Sequence, residues 1–445
     1  MEGQIVQYDD ELNGVLINER GVQVSIPGAL AGETVRYHIE HSSPHAPKAW
    51  GRCDALLVPS PNRIRPVCPI AWPTVGQCAG CPLMHINAQT QNQLKQQITL
   101  DALTKAGINY IRTIPFHPAS ETLHYRNRTD LVAAQWNQKF CLGAYKNRSH
   151  DIVPIQFCHI LRQPLNPVLR FIVKAANQLR IPAYRNELNP LGSIRYISLF
   201  ANDQRQVLVD IVCTSAQEHT PAWLNAFAQR LRDFSQICGV SYSVNDSPNN
   251  AIRTEAAYTL WGTERLPEHH GDLISLFSAA GFTQLNSQMA AEIYAAARDW
   301  LPSKPHIVWD LYCGAGAFGR TLHPTQKLYG AEFNAPAIEA ARQTSRNDPF
   351  ETHFEVMNLE TNWPDWPIPD VLLLDPPRKG LSKLAIERIK QTRFPTILYM
   401  SCNPASFANN VAELNDHYVL QRIEAFDMMP QTRHVEVLGM LCRRM

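Results

Sequence analysis

No stretch of this chain approaches the roughly 18 consecutive apolar residues that a membrane-crossing helix needs, so an integral membrane protein of that kind is not expected. The N-terminus, MEGQIVQYDDELNG, starts acidic and charge-poor, and no signal peptide is expected there. Net charge is nearly absent: 41 basic against 40 acidic residues leaves +1. There is thus no global electrostatic signature of nucleic-acid binding, and any such contact must come from local patches. Charged residues make up only 18% of the chain, while 45% is hydrophobic, which leaves a sizeable core for 445 residues and two to four domains. Neither internal repeats nor low-complexity tracts appear. A cytoplasmic protein is expected, where disulfides are rare; its eleven cysteines then call for metal, catalysis or burial.

Residues 1–58 read as short alternating runs punctuated by Gly14, Gly21, Gly28 and Gly32, the pattern of a small β-barrel. A proline- and cysteine-rich loop, VCPIAWPTVGQCAGCPLMHI, follows, and then a helical stretch over 87–106. Mixed strands and helices run from 120 to about 270. Beyond that the rhythm becomes strand–helix–strand, which predicts a parallel, doubly wound α/β sheet. Three domains are expected: the barrel over 1–58, a central α+β domain over 59–92 and 122–270, and the α/β domain over 93–121 and 271–445. The last segment, VEVLGMLCRRM, reads as a terminal edge strand.

The strand HIVWDLYCGAGAFG ends in Gly314-x-Gly316-x-x-Gly319, a tight turn that lets a ligand approach the backbone. Glu332 ends the next strand, where a carboxylate commonly grips ribose hydroxyls. This pattern suits either a dinucleotide or S-adenosylmethionine. The tip LLLDPPRKG, with Asp375 and two prolines, favours the second, because methyltransferases hold a planar base at such a tip and nicotinamide dehydrogenases have no need of it.

The stretch TILYMSCNP then puts Cys402 at the end of the following strand, opening onto the same crevice. A thiolate there suits one target. The C5 carbon of a pyrimidine is a poor nucleophile until a thiolate adds at C6 and makes it enolate-like. The adduct must afterwards lose its C5 proton, and Glu436 in MPQTRHVEVL is the expected base, with His434 as the alternative.

Taken in order, GFTQLN, DLYCGAGAFG, LLDPPRKG, YMSCNP and PQTRHVE resemble the motifs of the RNA uracil-5-methyltransferase family, and the likeness covers essentially the whole chain. It implies a class I, Rossmann-like methyltransferase domain and makes the N-terminal barrel similar to an OB-like TRAM domain. It implies Cys402 as nucleophile and Glu436 as proton acceptor. The cofactor contacts it implies are Gln284, Tyr312, Gly314, Gly316, Glu332, Asn358 and Asp375. Ala317 departs from the family's frequent Asn, and Met428-Met429-Pro430 stands where Phe before Pro is usual.

The thiols Cys68, Cys78, Cys81 and Cys158 suit zinc or an iron–sulfur cluster, and spacing alone does not separate the two. The resemblance implies a [4Fe-4S] cluster, although the first spacing is longer than the family's commonest and Ala79 replaces a glycine. Cys53, Cys141, Cys213, Cys238, Cys313 and Cys442 read as packing residues. Arg126 and Arg128 in HYRNR, with Lys146 and Arg148 in YKNR, are expected to meet RNA phosphates, with Tyr125, Trp136, Phe140 and Tyr145 interleaved for stacking. The target uracil must leave its stack. Large-subunit ribosomal RNA is the expected substrate and the T-loop uridine of transfer RNA the alternative. A non-catalytic RNA-binding protein and a cytosine-C5 methyltransferase are the competing classes. A monomer is expected.

Overall fold

A computed structural model describes residues 1–73, 77–110, 112–147, 149–184, 192–215, 221–247, 251–253, 257–271 and 273–444. The chain divides into two compact units rather than three. One comprises Met1–Asp101, Ala144–Val153 and Met429–His434, and the other Ala102–Gly143, Pro154–Met428 and Val435–Met445. No helix among the described residues is long and apolar enough to cross a membrane.

In the first unit, six short strands pair in the order Glu2–Gln4, Thr34–Ser42, Lys48–Val58, Gln23–Ile26, Gly14–Ile17 and Gln7–Tyr8. The two outermost strands are halves of one continuous segment, residues 2–8, so the sheet closes on itself and leaves no free edge. The alternating apolar positions meet inside as Ile5, Leu16, Val24, Ile26, Val35 and Tyr37. At one end Glu33 is fully buried. Arg63 clasps it in a fork, Nε to Oε1 at 2.5 Å and Nη2 to Oε2 at 2.8 Å, while the Leu30 and Ser60 amides donate to the same carboxylate at 2.7 and 3.2 Å.

The second unit is built on two large sheets and a two-stranded hairpin, Leu266–His270 with Leu273–Phe277. One sheet has seven strands; after the short Ile152–Pro154 the order is Lys139–Tyr145, Arg128–Trp136, Ile194–Ala201, Val207–Cys213, Ile237–Val244 and Tyr258–Gly262, these six antiparallel save for the pair Val207–Cys213 with Ile237–Val244. The other is the doubly wound sheet. Its order is Glu351–Val356, Lys327–Glu332, Ile307–Leu311, Val371–Leu374, Thr396–Ser401, Glu436–Arg443, Tyr418–Phe426 and Phe116–His117. The first five are parallel; the inner four are buried on both faces and read as apolar runs, while Glu351–Val356 at the edge is polar and largely exposed. This is the strand order of class I methyltransferases.

One expectation is corrected. Glu436–Arg443 is no edge strand: it inserts antiparallel between Thr396–Ser401 and Tyr418–Phe426. Its apolar residues at consecutive positions already fit a strand flanked on both faces, since an edge strand would show polar alternation. The short strand Phe116–His117 forms the edge instead.

Candidate functional site

The C-terminal ends of the parallel strands open onto one pocket of about 650 Å³. Open α/β sheets bind ligands there, beside the point where strand order reverses. Of the residues expected from the sequence, Gln284, Tyr312, Gly314, Glu332, Asn358, Asp375, Cys402 and Glu436 all line it.

The glycine turn supplies the cradle. Tyr312 takes a left-handed backbone, φ 65°, and Gly314 and Gly316 follow at 53° and 74°. A Cβ on Gly316 would lie 2.8 Å from the Phe354 ring, so only glycine lets the following helix, Ala317–Thr321, pack this closely. A Cβ on Gly314 would meet nothing within 4 Å, and the backbone there faces open space. Glu332 braces the turn, accepting from Gly314 N at 3.3 Å and from Asn334 N at 2.9 Å. Asp310 accepts from Gly319 N through Oδ2 at 2.9 Å, and its buried Oδ1 has no partner among the described residues.

The thiol's setting explains the odd sequence SCNP. Asn403 caps the helix Pro404–Leu414, its Oδ1 accepting from Ala405 N at 3.1 Å, with Pro404 at the first helical position. Asn403 Nδ2 also donates to Arg378 O at 2.9 Å, tying the thiol-bearing turn to the DPPR tip. Cys402 is the first residue past the strand. Ser401 pairs with Val437, so continuing that antiparallel register by one step sets Cys402 opposite Glu436. Nucleophile and base candidates thus line the same pocket from neighbouring strands. Among the described pocket residues it is Glu436, not His434, that lines the wall.

Electrostatically the pocket is acidic, and burial raises its ionisable groups. Burial pushes the Asp375 carboxyl up to about 8, with Asp310 and Glu332 adding to the rise, while the Gln284 amide, donating at 3.2 Å, partly offsets it. Burial, and after it the Asp375 charge, lifts Glu436 well above the usual carboxylate range. Burial also takes Asp310 to about 7. The Cys402 thiol is pushed up to about 12, first by burial and then by Glu436 and Asp375, against the lowering effect of Arg378. A cation placed here would be attracted by several carboxyls and would itself favour the thiolate.

Several pocket residues had no sequence signal strong enough to single them out. Phe282 and Phe333 are 70% and 72% exposed at the pocket, large aromatics left open to solvent. Phe282 sits inside the GFTQLN motif and Phe333 directly follows Glu332, so both lay next to residues already chosen. Asp310, at the strand end before the glycine turn, was legible only as an acidic residue in DLYCG.

The expected RNA-facing strands are corrected in part. Arg128 is buried, 8% exposed, and its neighbours are acids: Asp130 lies 3.7 Å away, and Asp210 bears on its charge. Tyr125 and Phe140 are buried as well, so they pack rather than stack on bases. Arg126 is half-buried, its Nε donating to Arg128 O at 2.8 Å. Lys146 pairs with the exposed Asp151 at 3.3 Å, and Trp136 stays 55% exposed. Arg148 lies outside the described residues.

The cysteine loop falls in the first unit, with residues 74–76 outside the described part. Cys78 N donates to Ile70 O at 2.8 Å and Ala71 N to Cys68 O at 3.2 Å, which folds the loop back on itself. Burial raises the Cys78 thiol, and charge on Cys68 adds to this. Cys81 is buried. Cys158 belongs to the second unit, where Asn166 Oδ1 accepts from its N–H at 2.7 Å and Asn166 Nδ2 donates to its carbonyl at 2.9 Å. Among the described residues no three Cys, His, Asp or Glu side chains are gathered as metal ligands.

Comparison with known proteins agrees with the motifs. A model of the tRNA (uracil-5-)-methyltransferase family matches residues 364–445, the segment holding Asp375, Cys402 and Glu436. The chain is thus similar over nearly its whole length to RNA methyltransferases, and its C-terminal segment to the tRNA (uracil-5-)-methyltransferase family. An uncharacterized RNA methyltransferase of Oceanobacillus iheyensis is 28% identical over 443 residues, covering 97% of this chain and 94% of that one. One from Staphylococcus aureus is 27% identical over 448 residues, covering 98% and 97%. Among solved structures, the Pyrococcus abyssi tRNA (uracil-54, C5)-methyltransferase in complex with S-adenosyl-L-homocysteine shares the fold at a TM-score of 0.79, with 23% identity and 99% of each chain covered.

Proposed function

We propose that this protein methylates uracil C5 in RNA with S-adenosylmethionine as methyl donor, giving 5-methyluridine. The observation that carries the reading is the single pocket wall shared by Cys402, Glu436, Asp375 and Glu332. The residues present fit the donor: an open backbone at Gly314 and a ring of buried carboxyls suited to a sulfonium. The donor supplies the methyl group and leaves as the neutral thioether.

Cys402 adds as thiolate to C6, and the electron pair of the C5=C6 bond moves to C5 and the C4 carbonyl. C5 then takes the methyl group, the carbon–sulfur bond of the donor giving its electrons to sulfur. Glu436 accepts the C5 proton, and the C5=C6 bond re-forms as Cys402 leaves. Asp375 and Gln284, joined by their hydrogen bond, are proposed to hold the donor and the base, with Tyr312, Gly314, Gly316 and Asn358 completing the cofactor contacts. Arg126 and Lys146 are the cations proposed for phosphate contact.

Large-subunit ribosomal RNA is the substrate we put first, supported by the likeness of the cysteine loop to that of cluster-bearing family members; the T-loop uridine of transfer RNA is the alternative. A [4Fe-4S] cluster on Cys68, Cys78, Cys81 and Cys158 rests on that sequence likeness alone, and no chemical step is assigned to it. An anaerobic preparation with iron-to-thiolate charge-transfer absorbance and about four irons per chain supports the cluster; a colourless, zinc-loaded or metal-free protein removes it.

Methyl transfer from labelled S-adenosylmethionine to unmodified large-subunit ribosomal RNA and transfer RNA, followed by nucleoside analysis, tests the whole reading. Label recovered as 5-methyluridine from one transcript supports the chemistry and chooses the substrate. Label on another nucleoside, or none on either RNA, rejects it.

A further inference from the structure

We propose that Asn127 is a positioning residue for the cofactor site, acting through Gln284. Asn127 is the fourth residue of HYRNR, a motif read from sequence as an RNA-contacting strand, yet it is fully buried. Its side-chain Nδ2 donates to the Gln284 carbonyl at 2.9 Å and its backbone N–H to the Leu285 carbonyl at 3.0 Å. The Asn127 carbonyl in turn accepts from Ala201 N at 2.8 Å, which anchors it to the neighbouring strand. Two successive carbonyls of the GFTQLN turn are therefore held by one residue, directly before the strand Arg128–Trp136.

The same turn is gripped at both flanks. Arg253 Nη2 donates to Ala279 O at 3.3 Å before it, and Arg162 Nη2 donates to Ser287 Oγ after it. Arg162 is itself fixed by the buried Glu268 at 2.8 Å. Between these clamps the Gln284 side chain reaches Asp375. A glutamine on an irregular turn has several rotatable bonds, and its aim depends on where its backbone is held. Asn127 supplies that hold at the residue itself. The polar groups of HYRNR therefore divide: Arg126 keeps part of its surface in solvent, while Asn127 faces inward and serves the turn.

The inference rests on Gln284 being a cofactor contact, and the experiment separates the two. In the full-length protein, Asn127→Ala and the isosteric Asn127→Asp, which loses the donor but keeps the shape, are expected to raise the dissociation constant and KM for S-adenosylmethionine about 5- to 20-fold. The kcat at saturating donor should change less than about twofold. In a Gln284→Ala background, Asn127→Ala should add less than about twofold, because the two act as one unit. Hydrogen exchange of the amides in residues 281–286, measured without any donor, should quicken at least about fivefold in Asn127→Ala while peptides of the Val371–Leu374 strand stay unchanged.

Unaltered donor affinity in both variants, or effects that multiply with Gln284→Ala, overturns the proposal. If the wild type binds no S-adenosylmethionine, the reading of the pocket falls, and the exchange measurement still decides the positioning: unchanged exchange at 281–286 refutes it. Wild-type Tm in Asn127→Asp, together with weakened donor binding, distinguishes positioning from general loss of fold.

Discussion

Glu33 and Glu436 are both buried glutamates, and the protein treats them in opposite ways. Burial alone would raise both. At Glu33 that cost is outweighed by the Arg63 fork and by the amides of Leu30 and Ser60, so its carboxyl stays below the usual range and charged. At Glu436 burial acts unopposed, Asp375 adds to it, and the carboxyl stands well above the usual range. The first acid is solvated by the protein and holds a barrel together. The second is left unsolvated, and its wish for a proton is the property a base near an acidic carbon requires. A buried carboxyl reports function when its compensating donors are missing.

The comparison breaks first at the thiol. Cys402→Ala should lose turnover by about 10⁴-fold or more and form no adduct with RNA carrying 5-fluorouridine. Glu436→Gln should keep the first steps and accumulate a methylated, covalent enzyme–RNA complex, seen as a shifted band on denaturing gels. An adduct with Cys402→Ala, or free turnover with Glu436→Gln, reassigns the roles.

Stability separates the two acids next. Arg63→Met strands a buried carboxylate and should cost about 3–5 kcal/mol in the unfolding of the barrel, whereas Glu436→Gln should leave stability equal or higher. Their pH responses have opposite signs. The stability that Glu33 contributes, with its lowered pKa, is present above the ordinary carboxylate pKa of about 4.3 and is lost as pH falls below it. Glu436, with its raised pKa, costs stability progressively as pH rises above that same value, and Glu436→Gln should flatten that limb. Urea unfolding from pH 3 to 8 reads both.

A smaller effect sharpens the account of the thiol. At about pH 9, above the point near 8 where Asp375 loses its proton, Asp375→Asn removes a negative charge that raises Cys402, so alkylation by iodoacetamide there should quicken about 3- to 10-fold. A cationic, non-transferable analogue of the donor should do likewise, and the neutral product thioether should not. Equal rates in all cases would leave burial as the sole cause. The smallest expected change lies on the surface: Arg126→Ala should weaken RNA binding evenly across sequences and reduce the salt slope by about 1, while Arg128→Ala should act on stability instead.

How far the sequence was legible follows from where each partner lies along the chain. The glycine turn, Asp375 and Cys402 each sit in a local strand-then-turn pattern, and the doubly wound sheet could be read from that rhythm. That Glu436 belongs with them followed only from the resemblance, because its place depends on an antiparallel strand inserting between two others. Arg128 misled for a similar reason: Asp130 is near in sequence, but Asp210 and Arg253 arrive from remote segments and turn a basic motif into an internal network. Burial of Tyr125 and Phe140 is equally a property of neighbours the motif does not contain.

The insertion of Glu436–Arg443 also orders events in time. Tyr418–Phe426 has no other bridge to the parallel strands, so it cannot join them until residues beyond 436 have left the ribosome. Synthesis is vectorial and folding follows it. The thiol-bearing strand is made well before the base-bearing one, and the step that closes the sheet is the step that sets the two side by side. A chain that stops before Glu436 therefore carries Cys402 with that wall of the pocket still unbuilt.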